Sequence, residues 1–100
     1  MRIYISGPFD GLKAETGEKY RLAEKIIEKK FPGTEYINPW ITCVSASLTA
    51  RLTKTDLKKI RHALIDICDS IYFLDDWELS DECHEEWIYA QNTNMKVVKE

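Results

Sequence analysis

The sequence predicts a small α/β domain built on a parallel sheet. Three observations carry that expectation: short runs rich in β-branched and aromatic residues, amphipathic helical stretches alternating with them, and a length of 100 residues that holds one hydrophobic core. Arg2 to Ser6 is the first such run, and Gly7-Pro8 breaks it. From about Lys13 to Lys30, Tyr20, Ala23, Ile26, Ile27 and Phe31 recur at helical spacing with Glu and Lys on the other face, and Pro32-Gly33 stops the pattern. Glu35 to Asn38 reads as a second strand, ended by Pro39, whose ring removes a ladder donor and keeps the preceding residue extended.

Residues 41–53 are rich in Ser and Thr, and a helical turn, a flap or a loop all fit them. Leu57, Ile60, Leu64 and Ile67, with Ala63 and Cys68, then form an apolar stripe that predicts a second helix, with Thr53 and Asp56 as capping residues. Ser70 to Leu74 is a third strand, stopped by Asp75-Asp76. Asp81 to Gln91 resumes a helical pattern through Cys83, Trp87 and Ala90, and Lys96-Val97-Val98 closes the chain as an edge strand. Right-handed crossovers between parallel strands make this a three-layer α/β/α arrangement with strand order 2-1-3-4, as in flavodoxin-like folds. Sheets of that order hold ligands beyond the carboxyl ends of their strands, at the switch point between the first and third. Gly7, Pro8, Phe9 and Asp10, then Trp40, then residues 75–80 fall there.

A net charge of −3 and a pI near 5.4 give no long-range attraction for a nucleic-acid polymer, while leaving small nucleotides open as ligands. More than half of the 17 acids lie between Asp66 and Glu86, opposite in sign to the cluster Arg51, Lys54, Lys58, Lys59 and Arg61. Solvated helix faces account for both groups. No apolar run is long enough to span a bilayer, and nothing at Met1-Arg2 resembles an export signal, so a cytoplasmic location is expected. Cys43, Cys68 and Cys83 are odd in number and lack CxxC spacing, which suits free thiols. Cys83-His84 beside Glu85-Glu86 could be read as metal ligands, but half a site is absent, and neither metal nor cofactor is expected.

Glu86 is the most informative residue. On the last helix it shares the stripe of Cys83, Trp87 and Ala90, the stripe that must face the sheet, and an ionised carboxylate on a dry packing face costs several kcal/mol unless it is satisfied. Tyr4 and Tyr72 are core aromatics whose hydroxyls need partners, and a buried carboxylate would be one. Ser80 is a natural N-cap, and a Ser at a helix N-terminus can also meet a phosphate. Trp40 and Trp77, near strand ends, can pack plainly or flank a planar ring.

Ile3-Tyr4-Ile5-Ser6-Gly7-Pro8-Phe9, Asn38-Pro39, Cys68 to Leu74 followed by Trp77-Glu78 and Ser80, then Glu86 and Ala90, together resemble the nucleoside 2-deoxyribosyltransferase-like superfamily, in its short branch associated with phages and bacteria. The resemblance spans nearly the whole chain. It implies that Glu86 is a nucleophile that attacks the anomeric carbon of a sugar, with Tyr4 positioning it. It further implies that Gly7, Pro8, Phe9 and Ser80 grip the sugar or its phosphate while Trp40 or Trp77 flanks the base. Transferases of the superfamily tend to have Asp six residues before the nucleophile, for a free 5′-hydroxyl, and nucleotide-hydrolysing members have Ser; Ser80 leans towards a nucleoside 5′-monophosphate.

Two positions depart from the superfamily's pattern. Glu82-Cys83 replaces a pair of small residues, and Arg61 stands where relatives carry a catalytic Asp, eight residues before the Asp matching Asp69. The general acid is therefore unassigned; Asp75 and Asp76 are candidates, and Asp69 reads as structural. The expectation is an N-glycosidase or deoxyribosyltransferase acting on a small nucleoside or nucleotide, able to form a homodimer or higher homo-oligomer. The alternative is a catalytically silent domain of the same fold that binds a nucleotide-like ligand or a protein.

Overall fold

A computed structural model describes residues 1–8, 14–49, 51–74 and 80–98, with side chains for all of these except 48 and 49. The elements run β1 (Arg2–Ser6), α1 (Ala14–Lys30), β2 (Glu35–Ile37), α2 (Pro39–Thr49), α3 (Lys54–Asp66), β3 (Ser70–Phe73), α4 (Asp81–Asn92) and β4 (Lys96–Val98). The four strands form one parallel sheet in the order β2-β1-β3-β4, as the sequence predicts. Tyr4 stands opposite Ile37 on one side and Ile71 on the other.

Alternation along β1 sends Ile3 and Ile5 to one face of the sheet and Tyr4 and Ser6 to the other. Ile3 and Ile5 pack with Tyr20, Ala23 and Ile27 of α1 and with Tyr72, Leu74 and Val98. Tyr4 packs with Ile65 of α3, Ala90 of α4 and Ile71, so α3 and α4 cover the second face and the domain has three layers. The close approach of β1 to its neighbours explains Gly7: a Cβ there would lie 2.3 Å from Leu74 Cδ1 and 3.0 Å from the Tyr20 hydroxyl. Past the end of α1, Gly33 takes φ +79°, a conformation open to glycine, and the chain turns into β2.

The ambiguous segment after Trp40 is helical. Pro39, which ends β2, serves as the first residue of α2, where a missing N–H costs nothing and a fixed φ suits the helix. The start of α3 has the expected capping box: Thr53 Oγ1 accepts from the Asp56 N–H (3.1 Å) and Asp56 Oδ2 accepts from the Thr53 N–H (2.9 Å).

Two stripe expectations need correction. The buried line of α3 runs through Arg61 and Ile65, flanked by Leu57, Leu64 and Cys68, whereas Ile67 sits past the last helical turn as the C-cap and is 53% exposed. On α4 the buried arc is narrow, holding Cys83, Glu86 and Ala90, and Trp87 at its margin reaches solvent.

Candidate active site

Three elements converge on Glu86. Tyr4 and Ser6 are two residues apart on β1, so both hydroxyls project to the α3/α4 face. Glu86 faces them from α4, and Arg61 reaches the same point from α3. Tyr4 Oη donates to Glu86 Oε2 (2.7 Å), Ser6 Oγ donates to Glu86 Oε1 (2.6 Å), and Arg61 Nε donates to Glu86 Oε2 (3.3 Å). Glu86 is 0% exposed, and Tyr4, Ser6 and Arg61 are buried around it. The carboxylate therefore holds charge-assisted donors on both oxygens in a setting closed to water.

Burial pushes the Glu86 carboxyl above the ordinary range, against the pull of the Ser6 and Tyr4 hydrogen bonds and of Arg61. Burial, then the adjoining carboxylate, raises the Tyr4 hydroxyl well above 10, so this phenol keeps its proton and acts as a donor. Burial likewise lifts the thiol of Cys83, beside Ser6 and Ser80, to about 11.

Of the other residues singled out from the sequence, Gly7 and Pro8 are buried at the carboxyl end of β1, where Tyr20 Oη donates to the Gly7 carbonyl (2.6 Å). Ser80 is the N-cap of α4: its hydroxyl accepts from the Cys83 N–H (3.3 Å) and donates to Glu82 Oε2 (2.9 Å). Trp40 lies elsewhere. Its six-membered ring rests on α1 at Gly17, where a Cβ would come within 2.5 Å of it, and its buried Nε1 has no hydrogen-bond partner among the described residues. Trp40 borders a cavity of about 170 Å³ with Gly17, Arg21, Glu24 and Asn38, and Glu86 does not line it. A second cavity of about 390 Å³, bordered by Asp66, Cys68, Asp69 and Met95, opens at the amino ends of β3 and β4, away from Ser80. Phe9, Asp10, Asp75, Asp76, Trp77 and Glu78 lie outside the described residues.

Asp69 is structural, accepting from the Arg2 N–H (3.2 Å) and from Ser70 Oγ (2.9 Å). The residues Cys83 to Glu86 do not converge as metal ligands. Cys83 and Glu86 point to the core while His84 and Glu85 face solvent, and Glu85 pairs with Lys58 (2.9 Å). No group of three His, Cys, Asp or Glu side chains placed to hold a metal occurs among the described residues.

Sequence reasoning did not place Ser6 in the site, and it marked Arg61 only as a departure from the superfamily's catalytic Asp, not as a partner of Glu86. Ser6 was readable from β1's alternation, because it shares the face of Tyr4. Arg61 was readable from α3, as a charge at i, i+4 to the core residue Ile65, the same kind of signal that marks Glu86.

The chain belongs to the family described as "Domain of unknown function (DUF4406)", whose model matches residues 1–99. No curated protein matches it, and no solved structure does. Among the described residues, no helix is long and apolar enough to cross a membrane.

Proposed function

We propose that the protein is an N-glycosidase or deoxyribosyltransferase-like enzyme acting on a nucleoside or nucleoside 5′-monophosphate, with Glu86 as the nucleophile. The observation that carries this reading is a carboxylate with no solvent exposure, held by Tyr4, Ser6 and Arg61 against the central strand β1. Buried ionisable groups with specific partners concentrate at catalytic sites. Among the described residues Oε2 accepts two hydrogen bonds and Oε1 accepts one, which leaves Oε1 a lone pair for attack.

In the first step Oε1 bonds to the anomeric carbon as the carbon–nitrogen bond breaks, and that bond's electron pair leaves on the base nitrogen, which takes a proton from solvent. Water, or a ring nitrogen of a second base, then attacks the same carbon, gives up its proton to solvent and frees the carboxylate, with net retention of configuration. Tyr4 and Ser6 hold their protons throughout and orient the carboxylate. The Glu82 carboxylate on the Ser80 hydroxyl would repel a 5′-phosphate and could accept a bond from a 5′-hydroxyl, which favours the unphosphorylated nucleoside. In this reading the enzyme works in the cytoplasm on small molecules, in keeping with free Cys43, Cys68 and Cys83; exposed Leu22, Ile41, Trp87 and Ile88 offer surface for a homo-oligomer.

The test is chromatography for free base after incubation with nucleosides and their 5′-monophosphates. Wild type should release base, and Glu86→Gln should lower the rate by at least about 10³-fold while keeping the far-ultraviolet dichroism of the fold. Equal rates for the two proteins would remove Glu86 from the mechanism.

The complete closure of the cluster favours a second reading, a catalytically silent ligand-binding domain in which Tyr4, Ser6, Arg61 and Glu86 lock the helices to the sheet. A nucleoside that raises the melting temperature of wild type with no base released would support it.

A further inference from the structure

Tyr4 and Ser6 from β1 and Arg61 from α3 touch the Glu86 carboxylate, and Tyr20 from α1, Cys43 from α2 and Cys83 from its own helix lie near enough to feel its charge. Tyr4, Tyr20, Cys43 and Cys83 are all buried, and burial holds each in its protonated, uncharged form at neutral pH. Arg61 is thus the one cation among the described groups that face the carboxylate. Its Nε lies 3.3 Å from Glu86 Oε2, the side chains being 5% and 0% exposed, so little solvent screens the pair.

The Ser6 and Tyr4 hydroxyls offset part of the cost of a bare charge in such a place, but neither brings an opposite charge to it. A fixed guanidinium changes that balance. It also engages Oε2, whereas Oε1, the oxygen that attacks in the proposed mechanism, is held by Ser6.

We propose that Arg61 is the positioning residue of this site: its guanidinium keeps Glu86 anionic at neutral pH and fixes Oε2, leaving Oε1 to react. The catalytic use of that anion rests on the reading of Glu86 as nucleophile; the control of its charge by Arg61 does not.

The experiment labels glutamate side-chain carboxyls with carbon-13, assigns the Glu86 resonance by its loss in Glu86→Gln, and titrates it in wild type, Arg61→Lys and Arg61→Gln. Arg61→Gln should move the Glu86 titration upward by at least about one pH unit, a tenfold change in the protonated-to-ionised ratio at fixed pH. Arg61→Lys, which keeps the charge, should leave it close to wild type. The acidic limb of the kcat/KM profile for base release should move up with the resonance in Arg61→Gln, with kcat at neutral pH falling and KM little changed.

A Glu86 resonance that titrates alike in Arg61→Gln and wild type overturns the proposal. So does an Arg61→Lys titration displaced as far as that of Arg61→Gln. If Arg61→Gln does not fold, Arg61→Met, uncharged and of similar reach, takes its place in the same titration, with the same upward movement expected and the same overturning result. Absence of base release by wild type would sink the glycosidase reading alone and leave the resonance to report on Arg61.

Discussion

The two faces of the sheet are built from the same strand and differ in kind. Towards α1, β1 presents Ile3 and Ile5, and the core there is Tyr20, Ala23, Ile27, Tyr72, Leu74 and Val98, with the Tyr20 hydroxyl satisfied by a backbone carbonyl. Towards α3 and α4 it presents Tyr4 and Ser6, and among Ile65, Ile71 and Ala90 it closes a cluster around an acid and a guanidinium. The first face is what hydrophobic burial alone would select. The second is not, since apolar replacements for a buried ion pair are often as stable or more so. Hydrophobic burial accounts for the α1 face; by itself it does not account for the α3/α4 face.

Breaking each face separately should separate those roles. Ile27→Ala, on the apolar face, should lower stability by ~2–5 kcal/mol and leave turnover per folded molecule unchanged, whereas Glu86→Gln, which leaves Arg61 without its counter-charge, should cost ~3–5 kcal/mol and also remove turnover per folded molecule. Denaturant titration alongside base-release assays reads both. Within the polar cluster, Arg61→Met alone should cost ~3–5 kcal/mol, while Arg61→Met combined with Glu86→Leu should cost much less than the two single changes together. Additive losses in that cycle would mean that the two side chains do not act as a pair.

Smaller effects sharpen the same contrast. In a helix interior Gly→Ala ordinarily stabilises by about 1 kcal/mol, but at Gly17 the added carbon meets the Trp40 ring at 2.5 Å, so Gly17→Ala should lower stability by ~1–3 kcal/mol in thermal unfolding. The smallest effect is at His62, stacked on Tyr89 with ring centroids 4.7 Å apart. Burial, then Lys58 and Arg61, holds its pKa below 6.5 against Glu85 and Asp66. As pH falls from 6.5 the unfolded chain takes the proton first, so stability drops from there down through the lowered folded value; His62→Gln should flatten the fall of urea midpoints that begins near pH 6.5.

Much of this was legible in the chain itself. Strands, order and layers follow from apolar periodicity and from Gly and Pro punctuation, and the Thr53–Asp56 cap from its spacing. Glu86 could be found because a carboxylate on a packing stripe contradicts its neighbours. Arg61 obeys the same rule, yet apolar residues on both sides of it drew the stripe through Ile60 and Ile67 instead. Residues 41–49 gave no periodic signal because Ser, Thr, Ala and Cys are small enough to tolerate either burial or exposure, so their helix is set by tertiary contacts with α1, α3 and β1. Which side chains line a cavity was out of reach, since that depends on how helices seat against one another; Trp40 came to rest on α1, bordering a cavity that Glu86 does not line.

The most direct measurement is mass spectrometry of the protein after brief reaction with a nucleoside fluorinated at C2′, a substitution that slows breakdown of a glycosyl ester. A mass increase of one sugar, located on the peptide that carries Glu86 and absent from Glu86→Gln, is the predicted result. Base release with the sugar on a different residue, or undiminished release by Glu86→Gln, would contradict the assignment of Glu86 as the nucleophile.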